Sequence, residues 1–293
     1  MNQLRRRRSE WRAACDAGWL CALALVVGCG PGTQTPRPAA APTKTTQVKG
    51  ATAAQRQATA PDPVQPLDQA LTLARRSLET LDEVEDYVCE FVKRERVDGE
   101  LLDEERLEMK LRHKPFSVYM RFLEPKALAD QEAIYVEGRN DGKLLAHTNG
   151  LKGQLFGTLE LHPDGFLAMR DNRYPITNAG MKNLVTLLLQ LGERRDLLKD
   201  CRVEFNDDGE IDGRDCLLIE ISNPRPVGEF HLAKAKIWLD RERNVPLGFE
   251  SWEWPADGGE PVLAESYRYE KLKFDQGLTD RDFDPANPDY SFP

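Results

Sequence analysis

Apolar side chains recur along this chain in two rhythms, and the change of rhythm marks its elements. Leu67, Ala70, Leu71, Ala74, Leu78 and Leu81 fall three and four apart. That spacing puts them on one stripe of a helix, with Asp68, Arg75, Arg76 and Glu79 on the other side. From Tyr87 the period shortens to two. Tyr87, Cys89 and Phe91 alternate with polar residues, Asp98-Gly99 signals a turn, and Leu107, Met109 and Leu111 alternate on the return. Phe116, Val118, Met120 and Phe122 share one face of the next strand. Strands are also predicted at 133–136 and 143–147, around the turn signal Asn140-Asp141-Gly142. Later ones fall at 216–221, 235–239, 247–254 and 264–274. Short connections favour an antiparallel meander, because parallel neighbours need long crossovers.

One stretch interrupts the strands. After Thr177-Asn178, read as a cap, come Met181, Leu184, Val185, Leu187, Leu188, Leu189 and Leu191. They put apolar side chains almost all round a second helix, which is therefore expected to be buried. The expected fold is α+β: a curved antiparallel sheet, a half-barrel, with helices closing its concave face. Parity places Met109, Leu111, Val118, Met120 and Phe122 on that face, towards Leu184 and Leu188 of the second helix. In an open sheet these seven are candidate lining residues for an apolar ligand. In a filled one they are core.

The first 66 residues have a different character. Arg5, Arg6, Arg7, Arg8 and Arg12 precede an apolar run at 17–27, the layout of an export signal. A run of about eleven residues is too short to span a bilayer, which takes roughly 20. It ends in Val26-Val27-Gly28-Cys29, which resembles the bacterial lipobox, so Cys29 is expected to receive a diacylglyceryl group and become the new N-terminus. Residues 1–28 are then a lipoprotein signal peptide. Residues 29–66 are mostly Ala, Thr, Gln and Pro, which cannot bury enough surface to offset the entropy of ordering. They are expected to form a disordered tether, and residues 67–293 the folded domain. Gly30 after the cysteine resembles lipoproteins forwarded to the outer membrane, facing the periplasm.

Charge narrows the partners. The chain carries −9; residues 1–28 contribute +3 and residues 29–66 another +3, which leaves −15 for the domain. So acidic a domain is a poor partner for nucleic acid or anionic headgroups. Membrane attachment has to come from the lipid. Of the domain's cysteines, Cys201 and Cys216 flank a hairpin-like stretch, which allows a bridge. If Asp212-Gly213 is the turn, however, Cys216 faces Gly209 and the two are far out of register. Three buried thiols including Cys89 are the alternative.

No catalytic constellation stands out. His113, His147, His162 and His231 are scattered, and no ligand set has zinc spacing. The acidic run 207–212 lacks the oxygen spacing of a calcium loop and reads as a solvated hairpin. Glu104-Glu105 and Arg194-Arg195 read as solvated faces. Phe249, Trp252, Trp254, Tyr267 and Tyr269 crowd the last strands, as core or as the wall of an apolar cavity.

Residues 87–101, the stretch from Lys114-Pro115-Phe116 to Pro125, and Ile237-Trp238-Leu239-Asp240 followed by Val245-Pro246-Leu247 resemble the bacterial domain-of-unknown-function family 1571. The resemblance covers roughly residues 67–293. That family is similar to lipoprotein-sorting carriers of the LolA and LolB type, in which a curved sheet closed by helices holds acyl chains. The family brings no activity of its own; the lipobox, the tether, the curved-sheet pattern and the all-round apolar helix point to a membrane-anchored envelope lipoprotein that binds a lipid or lipidated ligand, and no residue pattern asks for catalysis, cofactor or metal. Cys29 sets the chain nearer the anchored receivers than the soluble carrier. The alternative is a structural or protein-interaction lipoprotein with a filled core.

Overall fold

Helix α1 (Pro66–Glu83) opens the folded part in the computed structural model, which describes residues 65–148 and 157–293. Cys29, the signal segment and nearly all of the expected tether lie outside the described residues. Strands β1 (Asp86–Val97), β2 (Glu100–Leu101), β3 (Glu105–Arg112), β4 (Ser117–Glu124), β5 (Glu132–Val136), β6 (Leu144–His147) and β7 (Leu159–Leu161) follow. Helix α2 (Met181–Glu193) leads to β8 (Arg202–Ile211), β9 (Arg214–Ser222), β10 (Leu232–Asp240), β11 (Pro246–Glu253) and β12 (Val262–Phe274).

The strands form one antiparallel sheet in the order β7-β6-β5-β4-β3-β1-β12-β11-β10-β9-β8, with β2 paired to β1. The sheet is open: β7 and β8 are its two edges. The first half of the chain builds outward from β1 to one edge, and the second half starts at the other edge and returns to β12 beside β1. Between β7 and β8 the chain must therefore cross the whole width of the sheet. It does so over one face, and α2 is part of that crossing. An apolar sheet face and an apolar crossing helix cover each other from water, which is why so greasy a helix interrupts the strands. Register breaks at Val88/Glu90 in β1, Ser251/Trp252 in β11 and Asn206/Gly209 in β8 bend the strands locally.

Hairpins form where the turn signals stand. Asp98 and Gly99, and Asp212 and Gly213, hold φ between 51° and 86°, the left-handed geometry of two-residue hairpin turns. The second turn sets Cys216 opposite Gly209, and Cys89, Cys201 and Cys216 are all free thiols. The bridge between Cys201 and Cys216 does not form.

Two features of α2 differ from the sequence expectation. Its N-cap is Gly180, not Thr177-Asn178, which sit in a preceding turn of 3-10 helix. The Asn183 side chain instead reaches back to the Thr177 and Ala179 carbonyls at 3.1 and 2.9 Å. The helix is also not buried throughout. Met181, Leu184 and Val185 are buried, whereas Leu187, Leu188, Leu189 and Leu191 are half-buried. The C-terminal half leans on α1, where Gly192 lies so close to Leu71 that an added Cβ would sit 2.2 Å from its Cδ2.

The opposite, convex face carries a lattice of ion pairs, among them Arg106 with Glu90 and Glu270 at 2.9 and 2.6 Å. Part of this face has its own apolar cover. Phe283 packs on Tyr119, Ile134, Val136 and Leu145, joined by Leu278, Tyr290 and Phe292 of the C-terminal segment. The rings of Tyr119 and Tyr290 stack 4.0 Å apart.

Candidate functional site

Cross-strand pairing builds the concave face as parity requires. Met109 stands opposite Met120, Leu111 opposite Val118 and Leu107 opposite Phe122. All belong to one apolar cluster that also contains Met181, Leu184, Val185 and, half-buried, Leu188. All seven candidate lining residues are thus gathered on the helix-covered face. They are not equally accessible. Met109 and Val118 expose nothing to water, so no water-sized void touches them, and Leu111 exposes about 1 %. Met120, Phe122 and Leu188 are half-buried, as are Tyr174, Ile176 and Leu189 of the same cluster.

Helix α2 is fixed at its first turn. The Met181 backbone N–H donates to the Tyr87 hydroxyl at 3.2 Å. Gly180, with φ 100°, lets the backbone settle where a Cβ would stand 2.5 Å from Leu111 Cδ1 and 2.9 Å from the Tyr87 hydroxyl. The N-cap residue, Gly180, has no side chain to cap the helix. Beside this turn opens a pocket of about 310 Å³ lined by Leu111, Phe116, Tyr135 and Ala179 together with His113, Thr177, Lys182 and Asn183. His113 Nδ1 lies 2.7 Å from the Val84 carbonyl. Because a carbonyl only accepts, Nδ1 carries the proton. Burial pulls the His113 pKa below its ordinary value, and the bond to Val84 offsets only part of that.

At the other end of the same face the lining turns from apolar to charged. Lys93 lies in the two-residue register of Tyr87, Cys89 and Phe91, and Glu95 follows it; both are buried. Lys93 Nζ is 3.4 Å from Glu95 and 3.1 Å from Glu105, and it donates to Asn172 Oδ1 at 2.6 Å. Burial works against the Lys93 charge, but Glu95 and Glu105 overcome it and raise its pKa. The Tyr267 hydroxyl is 2.5 Å from Glu95 and 3.1 Å from Glu265, and Ser251 donates to Glu265 at 2.7 Å. Arg173 completes the network. Its backbone N–H donates to Glu95 at 3.0 Å, its Nε lies 3.6 Å from Glu265, and its guanidinium pairs with Glu253. Burial pushes the Glu265 carboxyl up, and Arg173, Ser251, Tyr174 and Tyr267 reverse only part of that. Glu105 is also raised by burial against the pull of Lys93.

One phenol proton cannot serve two carboxylates, so the Glu95–Tyr267–Glu265 contacts agree in direction with the raised pKa of Glu265. The network fastens the crossing segment, through Asn172 and Arg173, to β1, β11 and β12. Sequence reasoning missed it and took Glu105 for part of a solvated face; it is buried against Lys93. Parity held the signal: Glu105 continues the register of Leu107, Met109 and Leu111, and Glu265 that of Tyr267 and Tyr269. Arg173 had no such signal, since it lies outside any strand.

The acidic residues of the run 207–212 are exposed, and Arg241 pairs with Asp207. Among the described residues no group of His, Cys, Asp and Glu is arranged to hold a metal ion. No described helix is long and apolar enough to cross a membrane.

Several solved structures are similar to this chain at low identity. A putative outer membrane lipoprotein-sorting protein domain from Vibrio parahaemolyticus is 13 % identical with a TM-score of 0.33, over 72 % of this chain and 97 % of that one. The lipoprotein LppX of Mycobacterium tuberculosis is 12 % identical with a TM-score of 0.42, over 72 % and 98 %. A LolA superfamily protein from Nitrosomonas europaea is 14 % identical with a TM-score of 0.30, over 72 % and 97 %. No curated protein matches the chain. The match that spans most of the folded part is to a family model, that of the protein of unknown function DUF1571 over residues 84–292, and the chain belongs to that family.

Proposed function

We propose that this is a lipid-anchored envelope lipoprotein that holds a lipid or lipidated partner between its sheet and α2, and that it is a binder rather than an enzyme. The observation that carries this reading is the uneven burial of an apolar helix over an apolar face. At one end of α2 the contact with the sheet is sealed. Beyond it, Leu187, Leu188 and Leu189 on the helix, and Met120 and Phe122 on the sheet face, are left half-buried. An acyl chain is the kind of ligand that covers such a strip, at about 0.8 kcal/mol for each methylene taken out of water. Met120, Phe122 and Leu188 would meet the ligand first. Met109, Leu111, Val118 and Leu184 would join the site once α2 swings away from the sheet.

The same reading takes residues 1–28 as a signal peptide, Cys29 as the lipidated N-terminus, residues 29–66 as the tether and residues 67–293 as the binding domain. It puts the protein on the periplasmic side of the outer membrane. Support comes from the lipobox-like residues 26–29 and from the domain's negative charge, which gives no electrostatic hold on an anionic bilayer. Replacing Cys29 by Ser should release the protein from membranes or block its processing; unchanged cleavage and membrane fractionation would remove the anchor.

The complete burial of Met109, Val118 and Met181 favours a second reading, a structural lipoprotein with a filled core. Native mass spectrometry of protein purified from membranes decides between the two. Co-purified lipid that is absent from a folded Met120→Lys variant supports binding at this face, because the lysine would meet acyl chain instead of water. A folded variant that binds lipid as before removes the face, and a lipid-free native protein whose Met120→Lys variant unfolds points to the filled core.

A further inference from the structure

Among the described residues, two large apolar side chains stand well out of the fold, and they are neighbours. Phe166 is 57 % exposed and Leu167 60 %. They occupy the tip of the loop between β7 and α2, and the loop is not slack. The Gly165 N–H donates to the His162 carbonyl and the Met169 N–H to the Gly165 carbonyl, both at 2.9 Å, which winds the tip into a turn. The Asn172 side chain donates to the Ala168 carbonyl at 2.9 Å and accepts from Lys93. The next residue, Arg173, is held by Glu95, Glu253 and Glu265. A buried ion network therefore anchors the base of a loop whose tip presents two uncovered apolar side chains. Adjacent exposed apolar groups on a fixed support mark a contact surface.

We propose that Phe166 and Leu167 dip into the interfacial layer of the bilayer that carries the Cys29 lipid, and so bring the half-buried strip of the concave face to the membrane surface. This rests on the anchoring reading above. Three observations favour a bilayer as the occupant. The 36 residues from Gly30 to Gln65 bound the distance between Cys29 and the domain, at most about 120–130 Å of fully extended chain, which keeps the domain near its membrane. Close to the tip Arg170 pairs with Asp171 at 2.8 Å and Asp164 stands exposed, so the tip offers no net positive charge to a headgroup. The domain's −15 charge opposes any attraction to anionic headgroups, so the contact must be apolar and indifferent to salt.

The test uses the full lipidated chain in phosphatidylcholine vesicles. A Leu167→Cys variant, with Cys201→Ser to remove the half-buried thiol, takes an environment-sensitive fluorophore, and Glu210→Cys in the same background is the control. The probe at 167 should brighten about two-fold or more on reconstitution, as apolar groups do at the acyl boundary. Lipids bearing a nitroxide near the headgroup should quench it, and high salt should change nothing. The control should stay aqueous, and Phe166→Ser should reverse most of the effect at 167. Vesicles that carry the protein while the probe at 167 stays in water overturn the docking and leave the anchor standing. A contact that salt abolishes also overturns it. Protein that fails to float with the vesicles overturns the anchor, and the docking falls with it.

Discussion

The hydroxyl of Tyr87 accepts the first backbone N–H of α2, that of Met181, at 3.2 Å. Strand β1 thus supplies the cap that the helix lacks in its own sequence, at the point where the crossing segment is pressed hardest onto the sheet. Gly180 beside it has no room for a Cβ. The helix is thus fixed at its first turn by the sheet and near its last by the close approach of Gly192 to Leu71 of α1.

Gly180→Ala should therefore destabilise the fold by about 2–3 kcal/mol, from left-handed strain plus overpacking against Leu111. Gly99→Ala, equally left-handed at φ 86° but with open space round its Cβ, should cost only about 1 kcal/mol. Urea denaturation of the two variants measures the difference, and equal losses would show that the close approach does not matter.

Tyr87→Phe should remove the acceptor for Met181 and cost about 1 kcal/mol. Faster amide exchange should be confined to the first turn of α2. Exchange that rises evenly through the sheet would mean that Tyr87 supports the core rather than the first turn of α2.

The raised Glu265 carboxyl gives a pH dependence with a definite sign. A carboxyl whose folded pKa lies above its unfolded value binds its proton more tightly in the folded state. The stability it brings is therefore complete below the ordinary glutamate range and is lost as pH rises through the folded pKa. Glu265→Gln cannot ionise, so its unfolding free energy should decline less steeply than that of wild type as pH rises from about 4.5 towards neutrality. Glu105, raised in the same way, should keep some slope in the variant. Parallel profiles for wild type and Glu265→Gln would contradict the protonated network.

The cysteines should differ in reactivity. Burial pushes the Cys216 thiol up to about 11 and raises Cys89 further, and both are buried. Cys201 is raised as well but is half-exposed. Alkylation of the folded protein at mildly alkaline pH should modify Cys201 first, with the other two following only on unfolding. Protection of Cys201 together with Cys216 in non-reducing conditions would reveal a bridge.

How much of this was legible beforehand depends on the distance over which each feature is decided. Alternation placed Met109, Leu111, Val118, Met120 and Phe122 on one face because a strand reverses its side chains at every residue, whatever surrounds it. Asp-Gly and Asn-Asp-Gly marked hairpin turns because left-handed backbone is a local preference. Five of the seven candidate lining residues could thus be named without coordinates, and the helical spacing named the other two, Leu184 and Leu188. The sequence could not say that β7 and β8 end on opposite edges, since strand order is a matter of pairing between distant segments. That pairing sends the chain across the sheet, leaves Leu187 to Leu189 half-buried, and hands the capping of α2 to Tyr87, 94 residues away. The charged network was half visible. Parity carried Lys93, Glu95, Glu105 and Glu265 onto the inner face, but a charged residue there reads as solvated until its partners are known. Arg173 reaches them from outside any strand, so only the folded chain, where burial makes pairing compulsory, brings acid and base together.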